Sequence, residues 1–241
     1  MIHKINEKNG IRFIICSETG SNHIKDNVDN QDSALSGFVS DSCWFLAVAD
    51  GVSSVKYGRV GSQVAVQTVK WLAEQIELDN LKMDEANEIR TSFVRKWKSN
   101  FEDSWNEYAS TVNFAIGSKN RLLVGQIGDG LILVKAGEKE CILGETEDFY
   151  STETYALGAA VIRSSFSLEL IDVEDRLSIA MMSDGVGKEI EPENRMDVLK
   201  YIAKLVTDKS TNAQKEVEQW IRELSERNGD DKTIGIMVGS E

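Results

Sequence analysis

Apolar positions along the chain follow two distinct periods. Short runs that are apolar at alternate or nearly all positions occur at 11–17 (IRFIICS), 43–49 (CWFLAVA), 112–118 (VNFAIGS) and 121–127 (RLLVGQI). Four more follow at 131–136 (LILVKA), 166–173 (FSLELIDV), 176–183 (RLSIAMMS) and 233–239 (TIGIMVG). Each is bounded by Gly, Asp, Asn or Ser, and the pattern predicts strands. Several are apolar on both faces, which suits strands lying between layers rather than at an open surface.

Longer stretches carry the helical period and predict helices over 59–78, 84–109, 193–206 and 212–227. Between 84 and 109, Ile89, Phe93, Trp97, Phe101 and Trp105 recur every four residues, and Tyr108 extends the stripe. An aromatic stripe of this kind reads as core packing. In the last helix Val217, Trp220, Ile221 and Leu224 line one face. The order of strands, two helices, strands, two helices and a final strand predicts two sheets packed together with helices outside.

With 241 residues, one proline (Pro192) and no Gly/Ser tract, the chain is expected to form a single domain over 1–241. Asp and Glu number 40 against 27 Lys and Arg, a net charge of −13, which argues against nucleic acid and anionic membrane as partners. The three cysteines, Cys16, Cys43 and Cys141, are widely spaced and odd in number, as expected of thiols in a reducing compartment. The apolar run near the N-terminus is too short for a signal-peptide core or a membrane span, so a cytoplasmic location is expected.

Several chemistries are closed. Two histidines, His3 and His23, cannot build a His-rich zinc or binuclear site. A cysteine-nucleophile phosphatase needs Arg six positions after the Cys, where this chain has Asn22, Ala49 and Glu147. A phosphoaspartyl enzyme needs Asp two residues before Asp-Gly, where Val48 and Met182 stand. No GxxxxGK loop and no GxSxG elbow are present.

Acidic residues, by contrast, gather at strand ends: Asp50, Asp129, Asp184 and the pair Asp230–Asp231. Asp-Gly is a common hairpin dipeptide, and Asp129, with strand pattern on both sides, fits a plain hairpin as well as a site. Asp50 and Asp184 do not fit one, because no strand returns at once after "ADGVSS" or "SDGVGK". The glycine after each is expected to let the backbone carbonyl turn toward a ligand. Carboxylates about 5 Å apart at an effective dielectric of ~20 repel by roughly 3 kcal/mol per pair. Divalent cations would offset that cost, and all-oxygen donors suit Mg2+ or Mn2+.

The ordered set "NQDS" (30–33), "VADGV" (48–52), "IGDG" (127–130), "YALG" (155–158), "MSDGV" (182–186) and "DDKT" (230–233) resembles the metal-dependent protein phosphatases of the 2C type, in a bacterial branch. The resemblance runs from about residue 20 to the C-terminus. It implies an α+β fold, a four-layer α-β-β-α sandwich of two antiparallel sheets flanked by helices. It also implies a protein-serine/threonine phosphatase with two Mn2+ or Mg2+ ions that share and activate a water. By motif, Asp50 would bridge both ions and the Gly51 carbonyl would bind the second. Asp184 and Asp230 would complete the first ion's shell, and Asp32 would hold metal-bound waters. Asp50, Asp184 and Asp230 form the implied catalytic set, and Asp129 matches a position that some members use for a third, weaker ion. A phosphorylated protein, a cognate serine/threonine kinase and a monomeric enzyme complete the expectation.

Two departures bear on function. Many members carry a phosphate-gripping Arg four residues before Gln31, where this chain has Asn27, leaving His23 or Lys25 as candidate substitutes. Gln31 itself stands where many relatives have Glu. The alternative is a catalytically weak relative that serves as a regulatory or phosphopeptide-binding module.

Overall fold

The structure is a computed structural model that describes residues 2–144, 156–158, 166–207, 213–225 and 228–239. The chain runs β1 (Ile2–Lys8), β2 (Ile11–Glu18), α1 (Ser21–Asp26), β3 (Ser33–Phe38), β4 (Cys43–Ala49), α2 (Gly58–Glu77) and α3 (Ala86–Lys98). After a 3-10 turn at Trp105–Tyr108 come β5 (Val112–Ser118), β6 (Arg121–Ile127), β7 (Leu131–Ala136), β8 (Lys139–Leu143), β9 (Phe166–Asp172) and β10 (Leu177–Met182). The one-turn α4 (Asp184–Gly187), then α5 (Arg195–Thr207), α6 (Ala213–Ser225) and β11 (Lys232–Gly239) complete it.

Two antiparallel sheets result, one ordered β1-β2-β11-β10-β7-β8 and the other β3-β4-β5-β6-β9. Period-2 alternation sends the two faces of each central strand into different apolar layers. On β4, Trp44, Leu46 and Val48 meet Phe13, Ile132, Ile179 and Met181 between the sheets. Its other face, Cys43, Phe45, Ala47 and Ala49, packs under α2 and α3 with Val69, Leu72, Phe93 and Trp97. On β10, Ala180 and Met182 pack instead under α5 and α6, against Leu199, Ile202, Val217 and Ile221. Three apolar layers therefore separate four structural layers, the α+β sandwich expected from the resemblance.

The predicted strands are all found. The three strands that the pattern misses, β1, β3 and β8, lie at or next to solvent as edge strands. Their sequences, IHKINEK, SALSGF and KECIL, are polar or small because an edge strand need not be apolar on both faces.

One predicted helix is corrected. The helix expected over 84–109 stops at Lys98, where Ser99 Oγ and Asn100 Nδ2 take up the Lys96 carbonyl at 2.7 and 2.8 Å. The aromatic stripe survives this break because its later members pack across a turn. Phe101 meets Trp97 edge-on at 4.8 Å and stacks on Tyr108 at 4.1 Å, and Tyr108 stacks on Tyr57 at 4.9 Å. In the last helix, residues 212, 226 and 227 of the expected span lie outside the described residues.

The turn that follows α3 approaches α2 so closely that a Cβ on Gly61 would overlap the Tyr108 carbonyl oxygen. The fully buried Trp97 donates from its indole nitrogen to the Gly61 carbonyl at 3.2 Å in the same contact. Gly→Ala inside a helix ordinarily adds about 0.5–1 kcal/mol of stability. Gly61→Ala is expected to do the opposite and cost about 1–3 kcal/mol through overpacking. Urea denaturation would read this as a lower midpoint at unchanged slope.

Candidate functional site

Five aspartates converge on one end of the sandwich because five connections emerge there. Asp50 ends β4, and its backbone is fixed on both sides: Thr111 Oγ1 accepts its N–H at 3.0 Å, while its carbonyl accepts from Thr111 N–H at 2.8 Å and Ser110 Oγ at 2.9 Å. Gly51 bridges Ser110, and Ser110 bridges Leu157 of the YALG segment, whose Tyr155 lies outside the described residues. Asp32 immediately precedes β3. Its Oδ2 accepts from Ser183 Oγ at 2.8 Å, and Ser183 in turn accepts from Thr233 N–H at 3.0 Å. Asp184 opens α4 just after β10, and Asp230 lies just before β11.

The Asp-Gly steps owe their glycines to close packing. Neither Gly51 nor Gly185 has a positive φ. A Cβ on Gly51 would strike the Gly58 carbonyl group, and one on Gly185 would strike the Asp231 carbonyl oxygen. Backbone-on-backbone contact therefore gives each of these positions its own reason for glycine. Asp129 is also corrected: it is not in a hairpin. β6 belongs to one sheet and β7 to the other, so the 128–130 turn, with Gly128 at φ 105°, carries the chain across the sandwich.

A cleft of about 610 Å³ opens at this end, lined by His23, Gln31, Asp184, Lys188, Asn228 and Asp230 among others. His23 faces it but is also anchored: its Nδ1 lies 2.8 Å from Asp231 Oδ2, and a carboxylate can only accept, so Nδ1 carries the proton. Lys25 is exposed in the last turn of α1 and does not line this cleft.

Several residues outside the implied ligand set also matter here. Asp231, 2% exposed, accepts from Gly20 N–H and Gln31 N–H at 2.7 Å each, besides His23. It therefore ties α1 and the NQDS loop to the loop that carries Asp230. Lys232 is fully buried, and its ammonium satisfies three acceptors, the Asn228 and Asp230 carbonyls and Asn228 Oδ1, at 2.8–3.0 Å. It shapes the 228–230 loop from beneath. Lys188 Nζ donates to Asp184 Oδ2 at 2.6 Å and to Asp129 Oδ2 at 3.2 Å. Its spacing of four from Asp184 was the one signal available, since residues i and i+4 meet on a helical turn.

The electrostatics are those of crowded, partly desolvated acids. Burial pushes the Asp32 carboxyl up to about 7, and the Asp231 charge adds to this while the Thr233 and Ser183 hydroxyls oppose it. Burial raises Asp50 well above the ordinary range, followed by the charges of Asp32 and Asp184. Burial and then Asp184 raise Asp230 as well. Burial works against the Lys188 ammonium, but Asp184 and Asp129 outweigh it and hold the group charged.

A divalent cation fits this donor set. Asp32 Oδ1 and Gln31 Oε1 are buried with no hydrogen-bond partner, and oxygen donors predominate, as hard cations require. Among the described residues, no three His, Cys, Asp or Glu side chains already stand in an ion-holding cluster. Asp184 is engaged by Lys188 and Asp32 by Ser183 instead.

The family model described as protein phosphatase 2C matches residues 19–223. No curated protein matches the chain. Solved structures share its fold at low identity. The catalytic domain of the serine/threonine phosphatase PstP, in complex with two manganese ions, is 18% identical at a TM-score of 0.66, covering 96% of this chain and 99% of that one. RsbX in complex with magnesium is 13% identical at 0.62, covering 99% and 100%. The serine/threonine phosphatase Stp1 from Staphylococcus aureus is 15% identical at 0.64, covering 99% and 97%.

Two outcomes are expected from this geometry. Asp32 titrates near 3.8 when unfolded and near 7 when folded, so the folded, chelated protein binds the extra proton between those values. Its contribution is full below the lower value and lost as pH rises through the upper one. The melting temperature of chelated protein should therefore fall between pH 5 and pH 7 (roughly the upper part of that window), and fall less in Asp32→Asn. Separately, Asp231→Ala strands three donors and should cost about 2–4 kcal/mol. Amide exchange at Gly20 and Gln31 should accelerate in that variant.

Proposed function

Because this chain belongs to the protein phosphatase 2C family of serine/threonine phosphatases, we propose that it hydrolyses phosphoserine and phosphothreonine on protein substrates with the help of two Mn2+ or Mg2+ ions. The observation that carries this reading is the convergence of Asp32, Asp50, Asp184 and Asp230, delivered by four connections from both sheets, with the charges of Asp32, Asp184 and Asp230 all acting on Asp50. In this reading Asp50, the Gly51 carbonyl, Asp184 and Asp230 would hold the two ions, and Asp32 would hold their bound water. Divalent ions at such a site supply Lewis acidity that lowers the pKa of a water from about 15.7 toward neutrality and offsets phosphoryl charge.

The protein's own groups do the rest. Ser183 donates to Asp32 Oδ2 and is itself held by the Thr233 N–H, so Asp32 sits in a fixed frame. Asp231 holds His23 at the cleft with Nδ1 occupied, which leaves Nε2 for a phosphoryl oxygen of the substrate. The imidazolium form donates at both nitrogens and would serve in place of the Arg that Asn27 replaces. The −13 charge otherwise repels a phosphorylated substrate, so cations matter for binding as well as for chemistry.

The catalytic unit spans 1–241 and acts as a monomer opposite a cognate kinase. No helix among the described residues is long and apolar enough to cross a membrane. A reducing cytoplasm suits the free thiols, of which Cys16 and Cys43 are buried and pushed up to about 12.

Purified protein should hydrolyse p-nitrophenyl phosphate and a phosphothreonine peptide with added Mn2+ and stop when chelator is added. Asp184→Asn should lower kcat by about 100-fold or more with an unchanged circular dichroism spectrum. An Asn variant as active as wild type would refute the role given to Asp184. Tight phosphopeptide binding without metal-dependent turnover would establish the binding-module alternative instead.

A further inference from the structure

Lys188 stands where two carboxylates from different parts of the fold come together. Asp184 follows β10, whereas Asp129 lies on the turn that crosses from β6 to β7. The lysine side chain is 60% exposed and the Asp184 side chain 13%, so the ammonium reaches inward from the lip of the cleft. Its backbone is held in register, because Lys188 N–H donates to the Asp184 carbonyl at 3.0 Å. The bonds take Oδ2 of Asp184 and Oδ2 of Asp129. A divalent ion seated between these two aspartates would compete with the ammonium for these carboxylates.

We propose that Lys188 is a built-in cation that fills the position between Asp129 and Asp184 and excludes a divalent ion from it. This inference rests on the metal reading given above and assigns ions only to the group formed by Asp32, Asp50, Asp184 and Asp230. Two physical effects favour the lysine. Its ammonium is tethered beside the carboxylates, so it competes at a high effective concentration that a dissolved ion must exceed. An incoming divalent ion would also meet a fixed positive charge within a few ångströms, in a region partly shielded from water. Because the lysine engages only Oδ2 of Asp184, it can stay on Asp129 while Asp184 serves the ion on its other side.

The test counts ions rather than turnover. Mn2+ titration of the full chain, followed by calorimetry and by the electron paramagnetic resonance of free Mn2+, should give two bound ions for wild type even at millimolar Mn2+. Lys188→Ala should bind one ion more than wild type, and Lys188→Arg, which keeps the charge, should match wild type. Adding Asp129→Asn to Lys188→Ala should abolish the extra ion. Circular dichroism would verify that each variant is folded, as the exposure of Lys188 leads one to expect. A Lys188→Ala count equal to wild type, or an extra ion that persists in the double variant, would overturn the inference. A wild type that binds no Mn2+ at all would instead refute the metal reading under Proposed function, a result separable from the difference between variant and wild type.

Discussion

The mutual repulsion of carboxylates at one end of the sandwich is the constraint around which the rest of this structure is arranged. Asp32, Asp50, Asp184 and Asp230 are brought together at the cleft, the first three partly buried and Asp230 exposed, and desolvation and like charge drive Asp32, Asp50 and Asp230 toward their protonated forms. Such a cluster persists only if positive charge or hydrogen-bond donors meet it. The chain supplies both: Lys188 at Asp184 and Asp129, and the Ser183 hydroxyl at Asp32. What it leaves unmet, Asp32 Oδ1 and Gln31 Oε1, is an opening for a cation.

Holding that cluster requires the two sheets to keep a fixed offset, which apolar contact alone does not specify. A buried polar network provides it. Asn113 on β5 donates to the Met182 carbonyl at the end of β10, and Gln126 on β6 donates both to Asn113 and to the Gly130 carbonyl. One bond crosses between the sheets, one runs from a strand to the crossing turn, and the third couples the two buried amides on neighbouring strands of one sheet. An amide left without its partner there would cost far more than a surface bond contributes. Asp231 plays the corresponding part at the mouth, where its two oxygens join the N-terminal loop to the C-terminal one.

The fold was largely legible because its central strands are apolar on both faces, as in CWFLAVA, and only a layered arrangement can bury both. The edge strands were not legible, since one exposed face and one unpaired edge remove the selection for apolar residues. The helix drawn through 84–109 failed for a related reason. Aromatic spacing records which residues share a core, and Phe101 and Tyr108 share it across a turn as readily as along a helix. Asp129 was ambiguous because flanking strand pattern does not say which sheet each strand joins.

For the site, the sequence by itself determined the carboxylates and their order, because acidic residues that end apolar strands are conspicuous where hydrophobic burial sets the pattern. It also determined that no cysteine, zinc-type or phosphate-loop chemistry was available. Only the tertiary structure decided what each polar group meets. That Lys188 spans Asp184 and Asp129, that Lys232 is buried under the 228–230 loop, and that Asp231 carries His23 are contacts between segments up to 208 residues apart. Periodicity reports burial along one element. Pairing between polar atoms depends on distances between elements, and those are set only when the two sheets close on each other.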